Sequence, residues 1–129
     1  MIIPCEMASR AVVPSIRAMV AKELSESYNI KQENIAKLLG ITQSAVSQYI
    51  GNLRGRAIDL EGIAEVETVV KELSSIFIID SKSEIICKKF CEACRIIREK
   101  RLLCQLHERL DPLFNTEDCN ICIPDTACI

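Results

Sequence analysis

Apolar residues recur at intervals of three and four along most of the chain, which is the period of a helix with one buried face. The pattern occupies residues 14–28, 32–39 and 42–50, becomes a longer stripe over 57–80 and returns over 83–110. Only four glycines and four prolines interrupt the 129 residues. The pattern therefore predicts an all-α protein.

The predicted helices at 32–39 and 42–50 are joined by a very short turn. Gly40 ends the first helix, since glycine takes a positive φ at low cost, and Thr42 is a suitable N-cap for the second. Ala36 is small where the two helices would cross, and Val46 is apolar where the second helix would return to the core. Two helices joined by a tight turn with glycine are typical of a helix-turn-helix. We therefore predict an N-terminal helix-turn-helix DNA-binding domain over residues 1–57.

The outward face of the second helix carries short polar side chains that can reach base edges and phosphates in a major groove. Residues 41–53 contain no charge, whereas the solvent face of a merely structural hairpin is more often rich in Glu and Lys. Arginines follow directly and can hold phosphates. The predicted DNA-binding residues are Thr42, Gln43, Ser44, Ser47, Gln48, Asn52, Arg54 and Arg56.

Several stretches resemble a known family. "PCE", "PSIRAMVAKEL", "IAKLLGITQSAVSQYI" and "RGR" are similar to small archaeal transcriptional regulators with a helix-turn-helix of the phage-repressor type. The likeness is close over about residues 3–57, and "CEACRIIREKRLLCQLH" and "CNIC" are similar to the C-terminal pattern of that family. The resemblance implies a transcriptional regulator that binds a double-stranded DNA operator.

The middle of the chain, residues 58–82, is predicted to be a connecting and dimerisation helix. Its apolar residues alternate at three and four over about two heptads, as in a coiled-coil seam. Helix-turn-helix proteins commonly dimerise to double their contact with DNA, so a homodimer is expected. The alternative is that the stripe packs only within its own chain. The stripe consists of Ile63, Val66, Val70, Leu73 and Phe77.

The last part, residues 83–129, is predicted to be a small helical, cysteine-rich metal domain. Cys-x2-Cys pairs at 91/94 and 119/122 flank Cys104, and thiolates are the preferred ligands of iron–sulfur clusters. A straight helix would separate residues 91 and 104 by about 20 Å. Either the helix breaks near Cys94, or two groups of ligands are completed by other parts of the chain, such as Cys119 and Cys122. We predict that the helix breaks or ends near Cys94. The predicted ligands of an iron–sulfur cluster, most simply [4Fe–4S], are Cys91, Cys94, Cys104, Cys119 and Cys122.

Two other interpretations of the cysteines are open. Cys91, Cys94, Cys104 and His107 could form a structural zinc site of the Cys3His type. Alternatively, the cysteines are partly core residues and partly a thiol switch. The three other cysteines are reserves that could replace a member of the cluster set, and they are Cys5, Cys87 and Cys128.

Charge and composition narrow the class of function. The net charge of −2 hides a basic head, with seven Lys and Arg against four Asp and Glu in residues 1–57, and an acidic segment at 58–83. A basic head suits a polyanion such as DNA. There is no membrane-length apolar run and no secretory signal, so a cytoplasmic protein is expected. Without a phosphate-binding glycine loop or a Ser/His/Asp set, an enzyme is not expected. The rival from another class is an iron–sulfur electron carrier or enzyme component.

Overall fold

The computed structural model describes residues 2–117 together with 119 and 122. Helices account for all the regular secondary structure in these residues, which contain no strand. The predicted all-α fold is therefore confirmed for the described chain. The elements are α1 (Pro4–Met7), a π-helical segment (Ala8–Val12), α2 (Val13–Glu26), α3 (Gln32–Leu39), α4 (Gln43–Ile50), α5 (Ala64–Ile79), α6 (Glu84–Glu99) and α7 (Cys104–Leu110).

The first three elements form one uninterrupted helical rod that begins ten residues earlier than the apolar pattern predicts. The π segment comes just before Pro14, which has no N–H to donate to the carbonyl four residues back and whose ring crowds that carbonyl. A locally wider turn relieves this conflict. The rod is central to the fold, because Val12, Ile16, Val20 and Leu24 are completely buried along it.

The core is built around α2, which packs against α3, α4, α5 and α6. Burying one large aliphatic side chain contributes roughly 1.5–3 kcal/mol, so a row of such residues on α2 supplies much of the driving force for folding. None of the helices in the described residues is long and apolar enough to cross a membrane.

The apolar stripe of α5 is used within the chain itself. Val66, Val70, Leu73 and Phe77 are all buried, and their helix packs between α2 and α6. This is the alternative raised from the sequence, in which the stripe serves its own domain. A homodimer would have to use another surface.

The region from 83 to 110 forms two helices, and the break lies later than the sequence predicts. α6 begins at Glu84, where the Ser83 hydroxyl accepts a hydrogen bond from the Ile85 N–H at 3.2 Å, and it continues through Cys94 to Glu99. Arg101 then takes a left-handed conformation with φ 58°, and α7 starts at Cys104. The prediction of a break near Cys94 is wrong, because Cys94 packs into the core as part of a continuous helix.

The N-terminus is fastened to the end of α7. The backbone N–H of Ile2 donates a hydrogen bond to Asp111 Oδ2 at 3.3 Å, across 109 positions of sequence. Met7, on the first turns of the rod, is 1% exposed. The beginning of the chain therefore lies beside its cysteine-rich end, a proximity that no local sequence pattern indicates.

Candidate functional site

The turn between α3 and α4 is held by backbone hydrogen bonds that Gly40 makes possible. Gly40 has φ 66° and ψ 34°, a left-handed conformation that favours glycine. Its N–H and that of Ile41 both donate to the Ala36 carbonyl oxygen, the latter at 3.0 Å. Thr42 then caps α4, because its Oγ1 accepts the Ala45 N–H at 3.1 Å. The turn fixes the angle between the two helices.

α4 has one buried face and one polar face. Ala45, Val46 and Tyr49 are buried against α2 and α3. The opposite face is exposed and uncharged, and it presents all five of the helix residues predicted to contact DNA. These are Thr42, Gln43, Ser44, Ser47 and Gln48. Since α4 has eight residues, it is about 12 Å long, which is close to the width of a DNA major groove.

The segment after α4 is clamped to the rod by Gly55. This glycine has φ 75°, and a Cβ placed on it would lie 2.7 Å from the Pro14 carbonyl oxygen and 2.8 Å from Ala18 Cβ. Only glycine fits between this segment and α2 without displacing backbone. The backbone next to Arg54 and Arg56 is therefore fixed, and both side chains are exposed.

Besides Thr42, two of the predicted DNA-binding residues have side-chain partners within the chain. The Arg54 guanidinium lies over the Tyr49 ring, 5.6 Å from its centroid, which restricts the side chain beside α4. The Asn52 side-chain oxygen accepts a hydrogen bond from the Lys22 amine on α2. Asn52 can therefore offer its amide hydrogens to a ligand, while Lys22 adds a positive charge next to them.

The cysteines of α6 do not share one environment. Cys87 and Cys91 are exposed, whereas Cys94 is buried in the core. The sequence predicts that residues 91 and 94 act together as a ligand pair. In the structure one thiol faces solvent and the other packs among apolar side chains, as a small hydrophobic residue would.

The other three predicted cluster ligands line a single small cavity. Cys104, Cys119 and Cys122 surround a volume of about 20 Å³ together with His107, the only histidine in the sequence. Pro4 and Met7 of the N-terminal rod close another side of it. This is where the rod, α7 and the following segment meet.

Burial raises the pKa of the Cys104 thiol above its usual value. The neighbouring Arg101 guanidinium acts in the opposite direction, and it also hydrogen bonds to Cys104, while Cys122 and Cys119 raise the pKa further. Arg101 lines the same cavity as the three thiols. The cavity therefore combines soft ligand atoms with one positive charge.

His107 is buried at 5% exposure, in the last turn of α7. Its ring stacks on Phe114, with centroids 4.1 Å apart and planes inclined by 13°. Its Nε2 atom is buried and has no hydrogen-bond partner among the residues that the structure describes. A buried imidazole nitrogen in this condition is unusual, since nearly all buried polar atoms find a partner.

An iron–sulfur cluster on the five predicted cysteines does not fit this placement. Neither Cys91 nor Cys94 is among the described residues that line the cavity, and 20 Å³ is close to the space for one water-sized sphere. Within residues 2–117, 119 and 122, no three His, Cys, Asp or Glu side chains are yet arranged as ligands of one ion. Cys128 lies outside the described residues, and Cys5 lies on α1 between the two rod residues that line the cavity.

A different pairing of the cysteines and the histidine in the sequence could have indicated the four residues that share the cavity. Cys104-x2-His107 and Cys119-x2-Cys122 are two ligand pairs separated by eleven residues. The sequence equally allows Cys91 and Cys94 to pair with Cys104. Only the position of Cys119 and Cys122 at the same cavity as Cys104 and His107 distinguishes these combinations.

The described residues thus define an all-helical protein that joins an α3–turn–α4 unit to a cysteine-lined cavity. The chain belongs to the family described as "Protein of unknown function (DUF483)", which matches residues 2–128. No curated protein and no solved structure matches the chain. The family match covers both regions.

Proposed function

We propose that this protein is a sequence-specific DNA-binding regulator of transcription in which α4 is the recognition helix. The observation that carries the proposal is the exposed, uncharged polar face of α4, held rigid by the Gly40 turn and the Thr42 cap. A face of this kind is suited to reading base edges, because hydrogen-bonding side chains without charge discriminate by geometry.

The residues have distinct roles in this proposal. Gln43 and Gln48 read base edges, since a glutamine amide can pair with the two hydrogen-bonding atoms of adenine in the major groove. Ser44 and Ser47 contact bases or phosphates nearby. Arg54 hydrogen bonds to the phosphate backbone and sets the register of α4.

Arg56, Asn52 and Lys22 extend the same basic surface. Gly55 lies against α2, which fixes the backbone next to Arg56, and the Arg56 side chain is exposed. The Lys22–Asn52 hydrogen bond keeps a second cation on that side. These contacts supply affinity that depends on salt, because each neutralised phosphate releases counterions.

The second part of the proposal is that a metal centre in the tail regulates DNA binding. Pro4 and Met7 touch the cysteine-lined cavity, and the rod that carries them continues into α2, on which α4 packs. A tail whose folding depends on its metal is a two-state element, and the rod gives it a rigid connection to the recognition helix.

We further propose that the regulator acts as a homodimer on an operator with two half-sites. Since the stripe of α5 is buried, the dimer surface has to lie elsewhere. Ile79 at 83% exposure and Ile85 at 51% exposure lie on either side of the turn between α5 and α6, and Ile78 is also exposed. Apolar side chains exposed together in this way suit a subunit contact.

The test begins with selection of bound sequences from random duplexes, followed by binding measurements on the selected site. Gln43→Ala or Gln48→Ala is expected to cost about 1–3 kcal/mol on the selected site and little on random DNA. Gln105→Ala is the matched control, because Gln105 is an exposed glutamine on α7, away from this surface. Unchanged affinity of both α4 variants for the selected site would remove α4 as the recognition helix.

The arginine contact is tested separately by salt titration. Arg54→Ala is expected to weaken binding to both kinds of DNA and to reduce the salt slope by about 1. Arg95→Ala removes an exposed arginine from α6 and provides the control. Equal effects of the two substitutions would mean that the attraction is spread over the whole protein.

A further inference from the structure

We propose that Cys104, His107, Cys119 and Cys122 form a mononuclear Cys3His metal site suited to Zn²⁺. The site joins α7, the segment that follows it and the N-terminal rod. It differs from both metal sites predicted from the sequence, because Cys91 and Cys94 take no part in it. The inference stands apart from the DNA-binding proposal, since it concerns how the tail is held together.

The spacing of the four residues is that of paired zinc ligands. Cys104 and His107 lie three positions apart on α7, so their side chains leave the same face of the helix. Cys119 and Cys122 repeat the interval after eleven intervening residues. Structural zinc sites are commonly built from two such close pairs that a fold brings together.

The buried His107 nitrogen indicates a missing ligand. Stacking on Phe114 fixes the plane of the imidazole, and the ring remains buried while Nε2 has no partner in the described part of the chain. The same ring lines the cavity that holds the three thiols. A metal ion bound at Nε2 would satisfy the nitrogen and explain why a polar ring is kept in this position.

The donor set and charge of the cavity favour one ion. The described lining offers three thiols and one imidazole, whereas a [4Fe–4S] cluster is held by four cysteine thiolates. Three thiolates with Zn²⁺ would leave a net charge of about −1. Arg101 lies against Cys104 and can offset that charge while donating a hydrogen bond to the sulfur.

The four residues surround the cavity without yet converging on one point. Metal binding is therefore expected to draw Cys119 and Cys122 inward against α7. Such sites are rarely preformed in the absence of the ion, and the binding free energy contributes to folding. The tail is expected to tighten when zinc is added.

The test is the metal content of the full chain. Protein purified anaerobically and reconstituted with Zn²⁺ is expected to hold about one zinc per chain without acid-labile sulfide. Substitution with Co²⁺ should give the visible absorption of a tetrahedral, thiolate-bound ion. His107→Phe, which keeps a ring against Phe114, and Cys119→Ser are expected to lose most of the metal. Cys91→Ser and Cys87→Ser are the controls, since both thiols are exposed on α6, and they should keep it.

Because His107→Phe could disturb the tail, His107→Cys provides a second variant that replaces one ligand with another. It should retain the metal and shift the Co²⁺ spectrum towards that of a four-thiolate site. If the wild type instead held iron and acid-labile sulfide, and Cys91→Ser lost them, the proposal would be overturned in favour of the cluster. Full zinc content in His107→Phe, or failure of the wild type to bind Zn²⁺ or Co²⁺, would also overturn it. DNA binding measured on the same variants separates the two proposals, because metal loss without a change in DNA affinity rejects only the regulatory link.

Discussion

The α3–α4 unit and the segment from α7 to Cys122 satisfy their polar groups in different ways. Around Gly40, the backbone N–H groups reach the Ala36 carbonyl oxygen and Thr42 caps the next helix. Around His107, a buried ring nitrogen has no partner among the described residues, at a typical cost of about 1–3 kcal/mol. The polar groups around Gly40 thus have partners within the chain, whereas the buried nitrogen of His107 is an atom that a bound ligand would satisfy.

Metal removal should separate the two regions most strongly. We expect chelation of the zinc-loaded protein to destabilise the tail by about 3 kcal/mol or more, because metal binding supplies folding free energy in small sites. Hydrogen exchange should show loss of protection in α7, while α2 and α4 keep theirs. Equal protection of α7 with and without metal would contradict this difference between the regions.

A charge placed in the shared core should affect both regions together. Val70 on α5 is 4% exposed, so Val70→Glu is expected to cost about 3–5 kcal/mol and to unfold much of the chain. Thr68→Glu is the control, since Thr68 is exposed on the same helix. Circular dichroism and size-exclusion chromatography provide the measurement. A folded, monomeric Val70→Glu protein would instead support the intermolecular use of the stripe predicted from the sequence.

A substitution at Gly55 should disturb the segment after α4 without affecting the cysteine-rich tail. Gly55→Ala places a Cβ against the Pro14 carbonyl oxygen and Ala18 Cβ at a positive φ, and we expect a loss of about 2–3 kcal/mol in thermal unfolding. Gly62→Ala is the control. Gly62 has φ 80°, but its Cβ would meet no described atom within 4 Å, so its cost is limited to about 1 kcal/mol of backbone strain. Equal losses of stability in Gly55→Ala and Gly62→Ala would mean that the close contact of Gly55 with α2 adds nothing to the cost of a Cβ.

The smallest effect is expected at the ion pairs that Lys89 of α6 makes with one residue of α5 and one of α6. Lys89 contacts Glu72 on α5 and also Glu92, at 3.0 Å, and Glu72 followed by Glu92 raises the pKa of the Lys89 amine. Lys89→Ala should cost less than about 1 kcal/mol, because the acidic partners are exposed to solvent. A raised amine pKa contributes fully below the usual value of about 10.4 and is lost as the pH rises through the folded value. Denaturant unfolding at pH 7 and pH 9 should therefore show the same small difference.

The α3–α4 turn could be predicted because its signals are local. Gly40 marks a left-handed residue, Thr42 marks a cap, and the apolar positions repeat with helical period between them. Each signal acts within about five residues. The structure has helices at Gln32–Leu39 and Gln43–Ile50, so these local preferences agree with the tertiary packing.

Other features depended on contacts that the sequence pattern does not specify. The break after α6 contains neither glycine nor proline, and Arg101 takes the positive φ while Leu103 becomes buried. The stripe of α5 has the same period whether it faces another helix of its own chain or a second subunit. The cysteines can be grouped in several ways at the same spacing, and only the position of residues 119 and 122 beside α7 favours one of them.

The π segment at Ala8–Val12 sets the rotation of α1 about the helix axis relative to α2. Each residue of a regular α-helix advances the chain by about 100° around the axis. The wider π turn accommodates one residue more than a regular turn, so one further inserted residue would turn α1 by about 100° relative to α2. Met7 and Pro4 would then swing away from the cysteine-lined cavity, while the α3–α4 unit would keep its sequence and its turn. The rotation set by these five residues therefore determines whether α1 stays in contact with the cysteine-lined cavity.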